Sequence, residues 1–424
     1  MKPSQNSNTA LFFIVIGFLF FSNQTLDASV YYQEFTEYRG VVVDAGNGRQ
    51  ITPAYLTVSG TNISSVTNSQ GEFSLKVPVN LQNAVITVSS LGYISTSLPL
   101  SLFKTEGTRV ELTEIVEELS EVNIFTAKDP KQLVRNMFSK SGENYLNQDA
   151  HLNVFYRETI KKRNRHVSLT EALLKIYKKP YNSTGKDEIS IVKARKNVDY
   201  ERLDTMALKL RGGPYNSLYS DIIKYPQYLF TPKELEAYKF SFGAPARINN
   251  RYLYVVDFEM IDKSLPWFFG QLYIDAQSNA LVKAVYNLNV ENRSAASNMF
   301  VKKKPSGTRV YPIRAQYQVD YRETDGKWYY GYGNAELEFV VNWKRKLFNS
   351  RYTVNSEMVV TDWNFNPGGN ISMDETFITP YVIMVDDVSG FSDLQFWGAN
   401  NIIEPDKSIQ NAIQKIQENI EKSI

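Results

Sequence analysis

The sequence predicts a mainly β fold, with an N-terminal seven-stranded β-sandwich, then a larger antiparallel, curved β-sheet domain with a few helices. Two observations carry this. The chain is rich in Tyr (27) and Phe (24), residues that suit half-buried pleated surfaces. Segment after segment also alternates apolar with polar residues between Gly- and Asn-rich turns, the period of a strand with one covered side. At 424 residues the chain exceeds what a single core usually serves, so more than one domain is expected. A formal net charge of +2 argues against the broad basic field of a nucleic-acid binder.

The N-terminus reads as an address. Lys2 is followed by an uninterrupted apolar run, Leu11 to Phe21, too short to span a bilayer, which takes roughly 20 residues. It fits the core of a signal peptide covering residues 1–28, with cleavage near Ala28. The chain has no cysteine, so neither a disulfide nor a lipid anchor on cysteine is expected. The reading is an exported protein, periplasmic or outer-membrane associated, soluble or peripherally bound, with no transmembrane helix in the mature chain.

Residues 35–125 predict the sandwich. Gly46, Asn47 and Gly48 mark one turn; Ala54, Leu56 and Val58 then alternate with Tyr55, Thr57 and Ser59. After a second turn at Asn68 to Gly71, Phe73, Leu75 and Val77 point one way, Glu72, Ser74 and Lys76 the other, and Pro78 ends the ladder. Asp44, Asn68 and Gly71 read as turn formers. The order GVVVD, PAYLTVSGT, TNSQGEFSL, VSSLGY resembles the carboxypeptidase-regulatory-like domain, which implies a transthyretin-like sandwich common at the N-termini of envelope proteins, outer-membrane glycan transporters included. In the metallocarboxypeptidases that lend the name, catalysis lies in a separate zinc domain. The acidic, then apolar stretch Leu112 to Pro130 resembles the segment that links this domain to the next module in such transporters. No plug and barrel are expected after it here.

Residues 130–404 predict the second domain. Asp129 is placed to cap a helix opened by Pro130, with Leu133, Met137 and Phe138 on its apolar face. A hairpin follows, HLNVFYRETI then RHVSLTEALLKIYKK, with Lys161, Lys162, Arg163 and Arg165 at its tip. A third strand is expected near Ile189 to Val192, then an irregular helical insert over 200–238. From Tyr238 to Trp363 strands follow one another. Gln277 to Asn279 mark one hairpin turn, and Asp325-Gly326 gives the strongest hairpin signal in the chain. This order is similar to the half-barrel of outer-membrane lipoprotein carriers, which implies a curved sheet whose concave side could hold a lipid-like or peptide ligand. A C-terminal amphipathic helix is expected over 405–424, with Pro405 in its first turn and Ile409, Ile413, Ile416 and Ile420 on the docked face. FYRE (Phe155 to Glu158), LTEA (Leu169 to Ala172) and FWGANNII (Phe396 to Ile403) make the whole chain resemble exported proteins that pair the sandwich with a β-rich domain of unassigned activity.

The sequence offers little chemistry. Its two histidines, His151 and His166, stand in no H-E-x-x-H or H-x-x-E pattern, and thiolate chemistry is excluded with cysteine. No G-x-S-x-G elbow or phosphate-binding loop is present. No catalytic, cofactor-binding or metal residue is therefore assigned. Glu158 and Glu171, on adjacent strands of the first hairpin, could approach one another as a glycosidase pair. Arg211-Gly212-Gly213-Pro214-Tyr215 could line a ligand site beside Tyr215 and Tyr219. Trp328, Tyr329, Tyr330 and Tyr332 could stack on sugars or simply stabilise strand pairs. The sequence thus favours a non-catalytic binding or scaffold module for an envelope protein, glycan or lipid-like ligand. A carboxylate-dependent hydrolase and a carrier of a lipophilic ligand stand as alternatives.

Overall fold

In the computed structural model, the residues described are 34–115, 126–163, 165–198, 212–248, 251–301, 306–344, 347–365, 376–387, 396–411 and 413–414. The expected signal segment 1–28, residues 116–125, residues 200–211 of the expected insert, Ile416 and Ile420 lie outside them.

The sandwich has seven strands: β1 (Phe35–Asp44), β2 (Tyr55–Val58), β3 (Ser64–Val66), β4 (Glu72–Pro78), β5 (Val85–Ser89), β6 (Thr96–Pro99) and β7 (Thr108–Leu112). They form a three-stranded sheet, β4-β1-β7, facing a four-stranded one, β3-β2-β5-β6. Only the β1–β7 pair is parallel. Leu56, Val58, Phe73, Leu75, Val77, Ile86 and Val88 fill the space between them, as their alternation requires.

Helix α1 (Pro130–Ser139) starts as expected: the Asp129 side chain accepts hydrogen bonds from the Lys131 and Gln132 amides. α2 (Ser141–Asn144) leads into a twelve-stranded sheet. Its first three strands are β8 (Ala150–Lys162), β9 (Arg165–Lys178) and β10 (Glu188–Val198), the last longer than the sequence indicated. α3 (Pro214–Leu218) follows in the insert. Then come β11 (Tyr238–Phe242), β12 (Ala246–Ile248), β13 (Arg251–Met260), β14 (Phe268–Asp275), β15 (Leu281–Leu288), α4 (Arg293–Phe300), β16 (Thr308–Thr324), β17 (Lys327–Trp343), β18 (Ser350–Phe365), β19 (Thr376–Ile378) and α5 (Met384–Asp387). Strand order is β11-β13-β14-β15-β16-β17-β18-β8-β9-β10-β19, with β12 beside β13. Every pairing in it is antiparallel.

The β16–β17 turn takes positive φ at both Asp325 (49°) and Gly326 (75°), the conformation a two-residue hairpin needs. α4 has no counterpart in the sequence reading. Asn292 caps it by accepting from the Ala295 amide, a local signal lost inside an otherwise strand-rich region.

The large sheet is covered on both sides. On one, Leu133, Val134 and Met137 of α1, with Leu218, Ile222 and Phe230 of the insert, pack on Leu152, Val154, Tyr156 and Leu174. On the other, Phe155, Leu173, Tyr332 and Val359 meet Tyr55 and Val66 of the sandwich and Trp397, Ile402 and Ile403 of the C-terminal segment. That segment also closes the polar side of β4. Asn401 accepts from the Lys76 amide (2.7 Å) and donates to the Lys76 carbonyl (3.2 Å), so Ser74 and Lys76 are buried rather than solvated. The terminal helix is capped by Asp406, whose carboxylate accepts from the Ile409 amide. Pro405 therefore precedes the cap instead of lying in the first turn. Ile409 and Ile413 dock on Leu169 of β9.

Candidate functional site

The β8–β9 register decides the fate of the two carboxylates. Arg157 lies opposite Glu171, and Glu158 opposite Thr170. Because successive strand residues point to opposite faces, Glu158 and Glu171 project from opposite sides of the sheet. The two carboxylates, which the sequence allowed to approach one another, are not brought together.

Glu158 lies on the helix-covered face, fully buried. Its hydrogen-bond partner is the Tyr156 hydroxyl, which donates at 2.8 Å, and a chain of hydroxyls continues through Ser356 to Ser217. Burial raises the carboxyl to about 7, against the lowering effect of the Tyr156 bond. The neighbouring Thr170 hydroxyl is buried without a hydrogen-bond partner. A carboxyl poised near neutrality can exchange a proton, but its neighbours are hydroxyls rather than the second carboxylate that glycoside cleavage uses.

Glu171 is the reverse case. Arg157 and Arg195 bracket it, each within 2.7 Å. Burial would raise its carboxyl, yet the two guanidinium groups hold it below the ordinary value. Arg157 also donates to the Ile403 carbonyl (2.7 Å), so this cluster secures the C-terminal segment.

The histidines are apart from both. His151 packs edge-on against Tyr177 (4.5 Å). His166 shares a hydrogen bond with Ser408 (2.9 Å), and burial, then Lys161, lowers it to about 4. Among the described residues no group of three or more His, Asp or Glu side chains could hold a metal ion. Trp328, Tyr329, Tyr330 and Tyr332 are all buried, which removes them as a sugar-stacking surface.

Beside the Gly-Gly-Pro turn the structure places a partly exposed cluster of tyrosines. Gly212 and Gly213 have φ of 103° and 46°, accessible mainly to glycine. A Cβ on Gly213 would come within 2.8 Å of the Met384 side chain. The Gly212 amide donates to the Val382 carbonyl (2.8 Å), and the Tyr215 hydroxyl to the Ile378 carbonyl (3.3 Å). This close approach brings Tyr381 to Tyr219. Tyr219 and Tyr228 stack with ring centroids 4.4 Å apart and planes within 10°, while Tyr215 and Tyr225 brace Tyr219 from the side. Tyr228 is 44% and Tyr381 68% exposed. Burial, then Tyr228 and Tyr215, raises the Tyr219 hydroxyl to about 12, so Tyr219 is a neutral phenol at physiological pH.

Buried ion pairs and hydrogen bonds tie the base of this platform together. Lys178 bonds Asp187 and Asp221 at 2.7 Å each, and the Tyr181 and Tyr321 hydroxyls donate to Asp221. Burial would lower the Lys178 ammonium, but the two carboxylates hold it above its ordinary value. Tyr215 and Tyr219 were legible beside the glycines. Tyr228 sits in an aperiodic stretch and Tyr381 is distant in sequence, so no local pattern joined them to the site.

Among solved structures, the chain is similar to an outer-membrane lipoprotein-sorting protein domain from Vibrio parahaemolyticus, with 9% identity, 57% of this chain and 94% of that one covered, and a TM-score of 0.24. A DUF1329 family protein from Desulfovibrio piger matches with 10% identity, 57% and 96% coverage, and a TM-score of 0.23. A LolA superfamily protein from Nitrosomonas europaea matches with 10% identity, 56% and 95% coverage, and a TM-score of 0.18. No curated protein matches the chain. Among protein families, residues 38–124, the sandwich and the start of the segment after it, match the CarboxypepD_reg-like domain.

Proposed function

We propose that the protein is a non-catalytic, exported cell-envelope module that binds a glycan on Tyr219, Tyr228 and Tyr381. The observation that carries this reading is the stacked Tyr219–Tyr228 pair beside an exposed Tyr381. Sugar rings present C–H faces that suit the negative face of an aromatic ring, and phenol hydroxyls at the rim can hydrogen-bond sugar hydroxyls. The separation of Glu158 from Glu171 supports a binding role over a hydrolytic one. The Leu11 to Phe21 run supports export, with an envelope protein as a further partner class.

Affinity electrophoresis through gels containing soluble polysaccharides, followed by titration with the retained oligosaccharide, tests the reading. Tyr228→Ala with Tyr381→Ala is expected to weaken binding about 5- to 150-fold, at about 0.5–1.5 kcal/mol per ring. Retention unchanged in the double variant would place the ligand elsewhere. Cleavage of a bound oligosaccharide would overturn the non-catalytic assignment, and a lipid co-purifying in stoichiometric amount would favour the carrier.

A further inference from the structure

The ends of β8 and β17 and the starts of β9, β16 and β18 meet at one end of the large sheet. The Arg163 amide, at the β8–β9 tip, donates to the Arg351 carbonyl at the start of β18 (3.0 Å), and the Lys344 amide, at the end of β17, donates to the Gly307 carbonyl just before β16 (3.0 Å). Lys161 and Lys162 lie opposite Thr353 and Tyr352, and Thr308 opposite Trp343. This end therefore gathers Lys161, Lys162, Arg163, Arg165, Lys344 and Arg351. Glu338 pairs with Arg351 at 3.7 Å, and Asp406 lies near Lys161 and His166. Cations still dominate the rim.

From the β17–β18 loop two large apolar side chains project into solvent, Leu347 (97% exposed) and Phe348 (78%). The core of this end closes without them, through Phe339, Val341, Tyr352 and Val354 under Ala296 of α4. Adjacent exposed Leu and Phe at a hairpin tip gain nothing from water, and a ring of cations beside them is complementary to an anionic, partly apolar surface.

We propose that this end docks the protein on an anionic lipid bilayer, with Leu347 and Phe348 inserted at the headgroup–acyl boundary and Lys161, Arg163 and Arg351 against lipid phosphates. A bilayer fits better than a folded partner because the apolar element is a projecting tip with cations around it rather than a recessed groove. The inference is independent of the tyrosine platform.

Flotation of the full chain with vesicles of phosphatidylglycerol and phosphatidylethanolamine tests it, with phosphatidylcholine vesicles as the comparison. All variants keep the apolar Leu11 to Phe21 run, so its contribution is constant. Leu347→Ser with Phe348→Ser is expected to lower partitioning about 100-fold, given the apolar area withdrawn. Lys161→Ala, Arg163→Ala and Arg351→Ala together should lower it by a similar factor, about fivefold per cation, only on anionic vesicles, and less at high salt. Phe348→Trp should show a blue-shifted emission when anionic vesicles are added. Unchanged partitioning in both multiple variants, or no shift of Phe348→Trp, would overturn the proposal. Loss of self-association in Leu347→Ser/Phe348→Ser without any change in partitioning would also overturn it, and would make the tip an interface between copies.

Discussion

The two faces of the large sheet each carry a buried ion cluster beneath a covering segment, but the clusters hold their covers differently. On the helix-covered face the insert contributes a charge of its own: Asp221 completes the Lys178–Asp187 cluster and accepts from Tyr181 and Tyr321. On the sandwich-covered face Arg157, Glu171 and Arg195 satisfy one another within the sheet, and the C-terminal segment supplies backbone carbonyls to Arg157 and the Asn401 amide to Lys76. A cover that carries one of a cluster's own charges cannot leave without stranding its partners. The C-terminal segment, held to Arg157 through neutral carbonyls and pairing its Glu404 with Arg39 of the sandwich (3.9 Å), can leave with the Arg157–Glu171–Arg195 pairs intact. The insert should therefore be the more strongly anchored of the two.

Asp221→Ala should have the largest effect, about 3–5 kcal/mol of stability, because it leaves a buried ammonium short of one carboxylate and two phenols without their acceptor. Urea unfolding measures it; a loss below that of Asn401→Ala would reverse the ranking of the two faces.

Glu158→Gln sharpens the contrast between the two carboxylates through pH. In the folded protein this carboxyl sits at about 7 against an ordinary 4.5, so the native state retains a proton that the unfolded chain has released. Stability from this group is present below about 4.5 and is lost as pH rises through 7, by about 3 kcal/mol. The variant should match the parent at pH 4.5 and exceed it at pH 8.5, read as thermal midpoints. Parallel pH profiles would show that Glu158 is not held protonated.

Asn401→Ala should be the mildest, about 2 kcal/mol, from one buried amide and one carbonyl left unpaired on β4. The expected signature is faster proteolysis of the C-terminal segment, with the unfolding of the sheet itself little altered.

The elements legible in the sequence are those set by neighbours along the chain. Asp129 caps α1 because its carboxylate reaches amides two and three residues on; Asp325-Gly326 turns the chain because both positions accept positive φ; Phe73, Leu75 and Val77 find the sandwich core because alternation sends them to one side. The candidate sites were less legible. Adjacent strands for Glu158 and Glu171 could be read, but their register could not, and a slip of one residue exchanges the two faces. The irregularity between Ile160 and Lys161 near the hairpin tip is part of what sets that register.

A mainly β chain, a sandwich of the CarboxypepD_reg-like type, its turns and caps, and the Gly-Gly-Pro turn all follow from short-range patterns along the chain. Only the tertiary structure decided that Glu171 meets two arginines while Glu158 meets a phenol, that Ser74 and Lys76 lie under the C-terminal segment, and that Tyr228 and Tyr381 join Tyr219. The physical reason is range. Caps, turns and pleats are set within a few residues of backbone, whereas burial and pairing depend on which distant segment covers each face.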